Sequence, residues 1–263
     1  MSNREFAWKE NVVVRAFACS LVLSLASSCL LLPTAATAQV EEERWKSPST
    51  RWLEPRSGRR ATVPGYLDEM KWKNLPQEVV LIAGSATARG WNNEKWFSDF
   101  RTINRGFGGS RIDDNTYFAD QLIIPYHPST IIFYAGDNDL WARKPVDLTV
   151  QHFQDFVTKI RAELPLTQIV FVSIRPSIAR WEIVGAMREA NTLIRTIVEQ
   201  DPNLYYADID PIMIGEDGKP RPELFIADDL HLTELGFLEW TRLVKPIVQR
   251  AEERYRKLKS QYR

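Results

Sequence analysis

The chain has 263 residues, 44% of them hydrophobic and 26% charged, which excludes a disordered or collagen-like protein. Its 34 Lys and Arg balance its 34 Asp and Glu, so there is no bulk field to hold nucleic acid or an anionic membrane.

Residues 1–38 read as a cleavable secretory signal. Arg4, Lys9 and Arg15 form a positive n-region, residues 16–32 form an uncharged apolar run, and Ala36-Thr37-Ala38 offers a small-x-small cut before Gln39. The run is short for a membrane span. Ala26-Ser27-Ser28 is a poor lipoprotein signal ahead of Cys29. The expectation is a periplasmic or secreted protein, cut after Ala38, with no stable membrane anchor. Both cysteines, Cys19 and Cys29, fall in the leader. The exported chain would carry a net charge of −1 and no thiol, hence no disulfide, thiolate metal site or cysteine nucleophile.

Residues 39–75 read as an N-terminal arm. Glu41-Glu42-Glu43 and Arg59-Arg60 are expected in solvent, while Trp45, Trp52 and Tyr66 pack on the body. Residues 76–263 form the main domain. Apolar runs at 79–83, 130–135, 169–174 and 204–209 read as buried strands, with a shorter one near Ile103. Between them, Val150, Phe153, Phe156, Val157 and Ile160 recur at helical spacing, as do Ala190, Leu193, Ile194 and Ile197. Leu235, Leu238, Trp240 and Val244 lie in a last helix that ends in a charged tail. Fully apolar strands alternating with helices predict a three-layer α/β/α sandwich around a parallel sheet. Ligands of such sheets sit beyond the carboxyl ends of the strands.

The segments at those ends carry the chemistry. Gly84-Ser85-Ala86-Thr87-Ala88-Arg89-Gly90-Trp91 follows the first strand, and Asn104-Arg105-Gly106-Phe107-Gly108-Gly109-Ser110 the second. Gly136-Asp137-Asn138-Asp139 follows the third, and Asp228-Asp229-Leu230-His231 stands near the C-terminus. Each alone reads as a turn, a helix cap or a structural histidine. In this order, the four resemble the SGNH (GDSL-type) hydrolases, esterases and acylhydrolases of flavodoxin-like fold. The first block is similar to the branch reading Gly-Ser-Ser-Ser-Ile-Arg-x-Trp, matched by Gly84, Ser85, Arg89 and Trp91. Ser173-Ile174-Arg175-Pro176-Ser177 with Arg180-Trp181 also resembles that branch.

The resemblance implies a catalytic serine at position 86, which is Ala86 here. It implies His231 as general base with Asp228 orienting it, and Asp229 as the weaker choice for that partner. It implies an oxyanion hole from the backbone N–H groups of Ala86 and Gly109 and the side-chain amide of Asn138. An alanine cannot form an acyl-enzyme. Three readings stay open: a replaced serine in a protein otherwise active, a natural relative that keeps the pocket for binding, or residual chemistry through Ser85, Thr87 or an activated water.

Trp141, Arg180 and Trp181 are candidate pocket residues. His127 and His152 read as surface or structural, and three scattered histidines without thiols assemble no evident zinc site. Asp137-Asn138-Asp139 lacks the later glycine and glutamate of a calcium loop. Asp113-Asp114 reads as a helix cap, and Gly106-x-Gly108 lacks the remainder of a dinucleotide fingerprint. No cofactor or metal is expected. The expected partner is a small ester or an acylated glycan, with acyl length and oligomeric state left open.

Overall fold

The computed structural model describes Trp52 and residues 62–261. The leader with its cut after Ala38, Cys19, Cys29 and Trp45 lies outside these residues. No helix among the described residues is long and apolar enough to cross a membrane.

Five strands make one parallel sheet: β1 Val80–Gly84, β2 Thr102–Asn104, β3 Thr130–Tyr134, β4 Gln168–Val172 and β5 Leu204–Ala207, in spatial order β2-β1-β3-β4-β5. Every residue of β1, β3 and β4 is buried, because helices cover both faces. The longer helices are α1 Thr62–Trp72, α2 Ala86–Gly90, α3 Ile112–Tyr117, α4 Asp137–Trp141, α5 Val146–Glu163, α6 Val184–Val198 and α7 Glu234–Gln261.

Strand alternation divides the core in two. Leu81, Ala83, Ile131, Phe133, Ile169 and Phe171 meet Phe153, Phe156 and Ile160 of α5 and Met187 and Ile194 of α6. Phe133 and Phe156 stack with ring centroids 4.0 Å apart. On the other face Val80, Ile82, Ile132, Tyr134, Val170 and Val172 meet Trp240, Val244 and Val248 of α7. This is the expected three-layer sandwich.

Three local readings change. The arm contains α1, and Tyr66 on it donates to Gly106 O at 2.9 Å. The run 204–209 stops pairing at Ala207, where Ile209 N donates to Ser173 Oγ at 3.0 Å and a helical turn, Asp210–Met213, begins. The charged C-terminal tail is the continuation of α7 out to Gln261.

The strand order fixes where a ligand can enter. From β1 the chain moves outward to β2, then crosses back to β3 on the other side of β1. The loops leaving β1 and β3 therefore diverge to opposite faces and open a crevice at their carboxyl ends.

Candidate active site

The chain leaves β1 through a turn that only glycine fits. Gly84 has φ +125°, and a Cβ there would lie 1.8 Å from Tyr134 O. That closeness lets Ser85 N donate to the same carbonyl at 2.9 Å. Helix α2 then starts at Ala86, so the Ala86 N–H has no partner in its own helix. Among the described residues no other group accepts from it.

The second block folds against this turn. Phe107 N and Ser110 Oγ both donate to Gly84 O, each at 2.9 Å. Asn104 holds the loop at its base, with Oδ1 accepting from Gly106 N at 2.9 Å and Nδ2 donating to Ala88 O at 2.7 Å. Gly109 sits exposed at φ +78°, and its N–H also has no acceptor among the described residues. Trp52 flanks it: a Cβ on Gly109 would lie 3.2 Å from the Trp52 ring. Trp52 packs edge-on against Phe107 and donates from Nε1 to Asp114 Oδ1 at 2.9 Å.

The third block reaches the second through Asn138, whose Nδ2 donates to Ser110 O at 3.0 Å. Its Oδ1 accepts from Arg180 Nη2 at 3.0 Å, and Arg180 Nη1 donates to Asp137 Oδ2 at 2.9 Å. The fourth block is a short loop in which Asp228 gathers three donors. Its Oδ1 accepts from Leu230 N at 3.0 Å and His231 N at 2.8 Å, and its Oδ2 lies 2.6 Å from His231 Nδ1. Partial burial pushes the Asp228 carboxyl up, but the hydrogen bonds from the His231 ring and the two backbone N–H groups outweigh it and hold the carboxyl at about 2. Asp228 is therefore an anion at any ordinary pH. The His231 Nδ1 is engaged, so Nε2 is the nitrogen left to exchange a proton. Asp229, the competing partner, instead takes a left-handed backbone (φ +56°), and its carbonyl accepts from Ala179 N at 3.1 Å.

Arg175 joins the first block to the fourth. Its buried Nη2 donates to Thr87 Oγ1 at 3.2 Å and to Leu230 O, and its Nη1 donates to Tyr134 Oη at 3.1 Å. One guanidinium nitrogen thus bridges the neighbour of Ala86 and the neighbour of His231. The four stretches form one hydrogen-bonded assembly at the carboxyl ends of β1 and β3. Arg175 directly follows the apolar run 169–174, and a charge at that position is the sequence signal for it.

The remaining candidates separate. Trp141, 43% exposed, lies one helical turn from Asn138 with Arg180 Cζ 5.3 Å from its ring centroid. Arg180 is only 8% exposed, with both terminal nitrogens bound. Trp181 is placed elsewhere, against Arg188 and Lys219. Thr87 is buried with its hydroxyl against Arg175, so it is not free to act in place of the missing one. Asp114 caps α3, accepting from Arg111 N at 2.8 Å.

His152 comes together with Asp113 and Asp139, their ligand atoms all within 4.8 Å of one another. The Lys144 ammonium already sits among them, 2.7 Å from Asp113, 3.3 Å from Asp139 and 3.3 Å from His152 Nδ1. With its side chain 1% exposed, Lys144 supplies the positive charge that these groups would otherwise require.

No curated protein matches the chain in sequence. Its fold is similar to that of a Streptococcus pneumonia protein assigned as a platelet activating factor, with 16% identity and a TM-score of 0.64 over 82% of this chain and 99% of that one. A GDSL-like lipase from Bacteroides thetaiotaomicron is 20% identical, with a TM-score of 0.61 over 72% of this chain and 98% of that one. A carbohydrate esterase family 3 protein from Talaromyces cellulolyticus is 14% identical, with a TM-score of 0.53 over 66% of this chain and 97% of that one. Residues 71–237 match the GDSL-like lipase/acylhydrolase family, and the chain belongs to that family.

Proposed function

We propose that the protein is an exported carboxylic-ester hydrolase scaffold whose turnover is blocked at one atom, the hydroxyl missing from residue 86. The observation that carries this reading is the hydrogen-bonded assembly joining position 86, Asn138 and the Asp228–His231 pair.

With a serine at position 86 the chemistry runs as follows. The serine Oγ attacks the ester carbonyl carbon while its proton passes to His231 Nε2. Asp228 holds the ring through Nδ1 and stabilises the imidazolium. The carbonyl π pair moves onto oxygen, where the N–H groups of residues 86 and 109 and Asn138 Nδ2 donate to it. Collapse of the intermediate expels the alcohol, which takes the proton from His231. Water then repeats the sequence on the acyl-enzyme and releases the acid. In this chain the first step has no nucleophile. The donors and the imidazole remain, so the pocket can still bind an ester and turn it over weakly through water. In a known serine hydrolase, loss of the serine costs about 10⁶-fold in kcat, and roughly 10³–10⁴-fold over water survives.

The substrate class is a small ester or an acylated glycan. The exposed Trp141 ring beside Asn138 supports a ligand with a flat apolar face. The leader at 1–38 directs the protein to the periplasm or the medium. A second reading, a binding protein for an acylated ligand, is favoured by Ala86 itself, which removes the nucleophile while Gly109, Asn138, Asp228 and His231 remain.

Ala86→Ser decides between them. The variant is expected to hydrolyse a p-nitrophenyl acetate-type ester at least about 10³-fold faster than the parent. A folded variant that gains nothing removes the hydrolase reading. Calorimetric binding of an acetylated disaccharide by both forms would then favour the binding protein.

A further inference from the structure

We propose that Arg180 is a positioning residue that acts through Asn138: its guanidinium fixes the face that the carboxamide presents and polarises it, strengthening Nδ2–H as a donor to an oxyanion. The inference rests on the reading of Asn138 as an oxyanion donor.

An asparagine amide can face either way, and its neighbours decide which. Here Oδ1 faces Arg180 Nη2 at 3.0 Å, and Nδ2 faces Ser110 O at 3.0 Å. Turning the amide over would set oxygen against the Ser110 carbonyl and N–H against guanidinium N–H. Both contacts reject the turned form. Only one of the two Nδ2 protons is needed for Ser110, and Nδ2 has no other acceptor among the described residues. The second proton is the one a ligand oxygen would meet.

Arg180 is itself held in place. Nη1 is tied to Asp137 Oδ2 at 2.9 Å, the Trp141 ring packs 5.3 Å from Cζ, and the preceding Ala179 N donates to Asp229 O in the His231 loop. The planar fork therefore spans two adjacent acceptors, Asp137 and Asn138, which a single ammonium does not match.

Charge counting supports polarisation as well as placement. Arg175 and Arg180 are both buried and share one buried carboxylate, Asp137, at 3.7 and 2.9 Å. These three groups together carry one excess positive charge. Among the described residues Asp137 Oδ1 accepts no hydrogen bond, so the carboxylate is not diverted to another donor there. A charge-assisted bond into Oδ1 withdraws electron density from the amide and makes its N–H groups stronger donors. That effect is felt as negative charge develops on the carbonyl oxygen.

The test uses a double-mutant cycle in the Ala86→Ser chain. Arg180→Lys is expected to lower kcat for a short aryl ester by about 10- to 100-fold, with KM changed by less than about threefold. In an Asn138→Gly background the same change should alter kcat by less than about threefold, because the group through which Arg180 acts has gone. Equal losses in both backgrounds would show a merely structural arginine and overturn the proposal. A second readout needs no turnover. In the chain as it stands, the Asn138 side-chain NH2 resonances, assigned by their loss in Asn138→Gly, should move upfield and broaden in Arg180→Lys. If they stay in place, the proposal fails whether or not Ala86→Ser hydrolyses esters. If Ala86→Ser is inactive but the resonances move, the hydrolase reading falls while the Arg180–Asn138 coupling stands. Should Arg180→Lys not fold, Arg180→Gln combined with Asp137→Asn removes one charge of each sign, and the same resonance shift is expected.

Discussion

Gly84→Ala puts the β1-to-α2 turn under direct strain. The new Cβ would begin 1.8 Å from Tyr134 O, where a carbon and a carbonyl oxygen approach to about 3.3 Å. Backbone must move by about 1.5 Å, and the atom in the way belongs to a central strand rather than to a flexible side chain. Alanine at φ +125° adds about 1–2 kcal/mol of backbone strain. Overpacking adds about 1–3 kcal/mol. Losing the Ser85 N to Tyr134 O bond adds about 1 kcal/mol. The expected destabilisation is about 3–6 kcal/mol, read as a urea midpoint lowered by roughly 1.5–3 M if m is about 2 kcal/mol/M. Gly185→Ala is the control, with nothing within 4 Å of its Cβ and an exposed position in α6. It should be neutral or stabilising by about 0.5 kcal/mol. In the Ala86→Ser chain, Gly84→Ala should also reduce activity, because it displaces residue 86. A Gly84→Ala midpoint within about 0.3 M of the parent would refute the steric account of this turn.

Two further outcomes follow from ion pairs. Asp228 should titrate near pH 2, against an ordinary 3.8, when followed by its carboxyl carbon resonance. A lowered carboxyl favours the folded loop fully above about pH 4, and that contribution is lost as pH falls through about 2. His231→Ala should move the midpoint back toward 3.8, and a midpoint at 3.8 with the pair intact would count against it. Lys144→Met should cost about 3–5 kcal/mol in chemical denaturation by leaving Asp113 and Asp139 facing each other without a cation. Zn²⁺ or Mn²⁺ should raise the melting temperature of that variant through Asp113, Asp139 and His152 and leave the parent unchanged; equal responses would refute the account.

The sequence by itself determined the layers, because burial on both faces imposes unbroken apolar runs, and those at β1, β3 and β4 are legible without partners. The Asp228–His231 pair was implied only by resemblance, with Asp229 as the rival, and it is in the folded loop that the Asp228 carboxylate lies 2.6 Å from His231 Nδ1. Helix α1 escaped because Pro64 and Gly65 mask its first turn, although proline is tolerated there, where no intrahelical N–H bond is required. The apolar run continues past β4 to Ile174 for a tertiary reason: Asn191 of α6 supplies both backbone bonds to Ile174, at 2.8 Å each, in place of a neighbouring strand. Only the folded chain decided what Arg180 does. Its pocket-lining promise depended on its position in a loop, but its nitrogens are taken up by Asp137 and Asn138, more than forty residues away. Likewise, Arg175 links Thr87 to Leu230 across a separation that no local pattern encodes. Residue types announce which groups can donate, accept or titrate; which of them meet is set by the strand order that turns their loops toward one crevice.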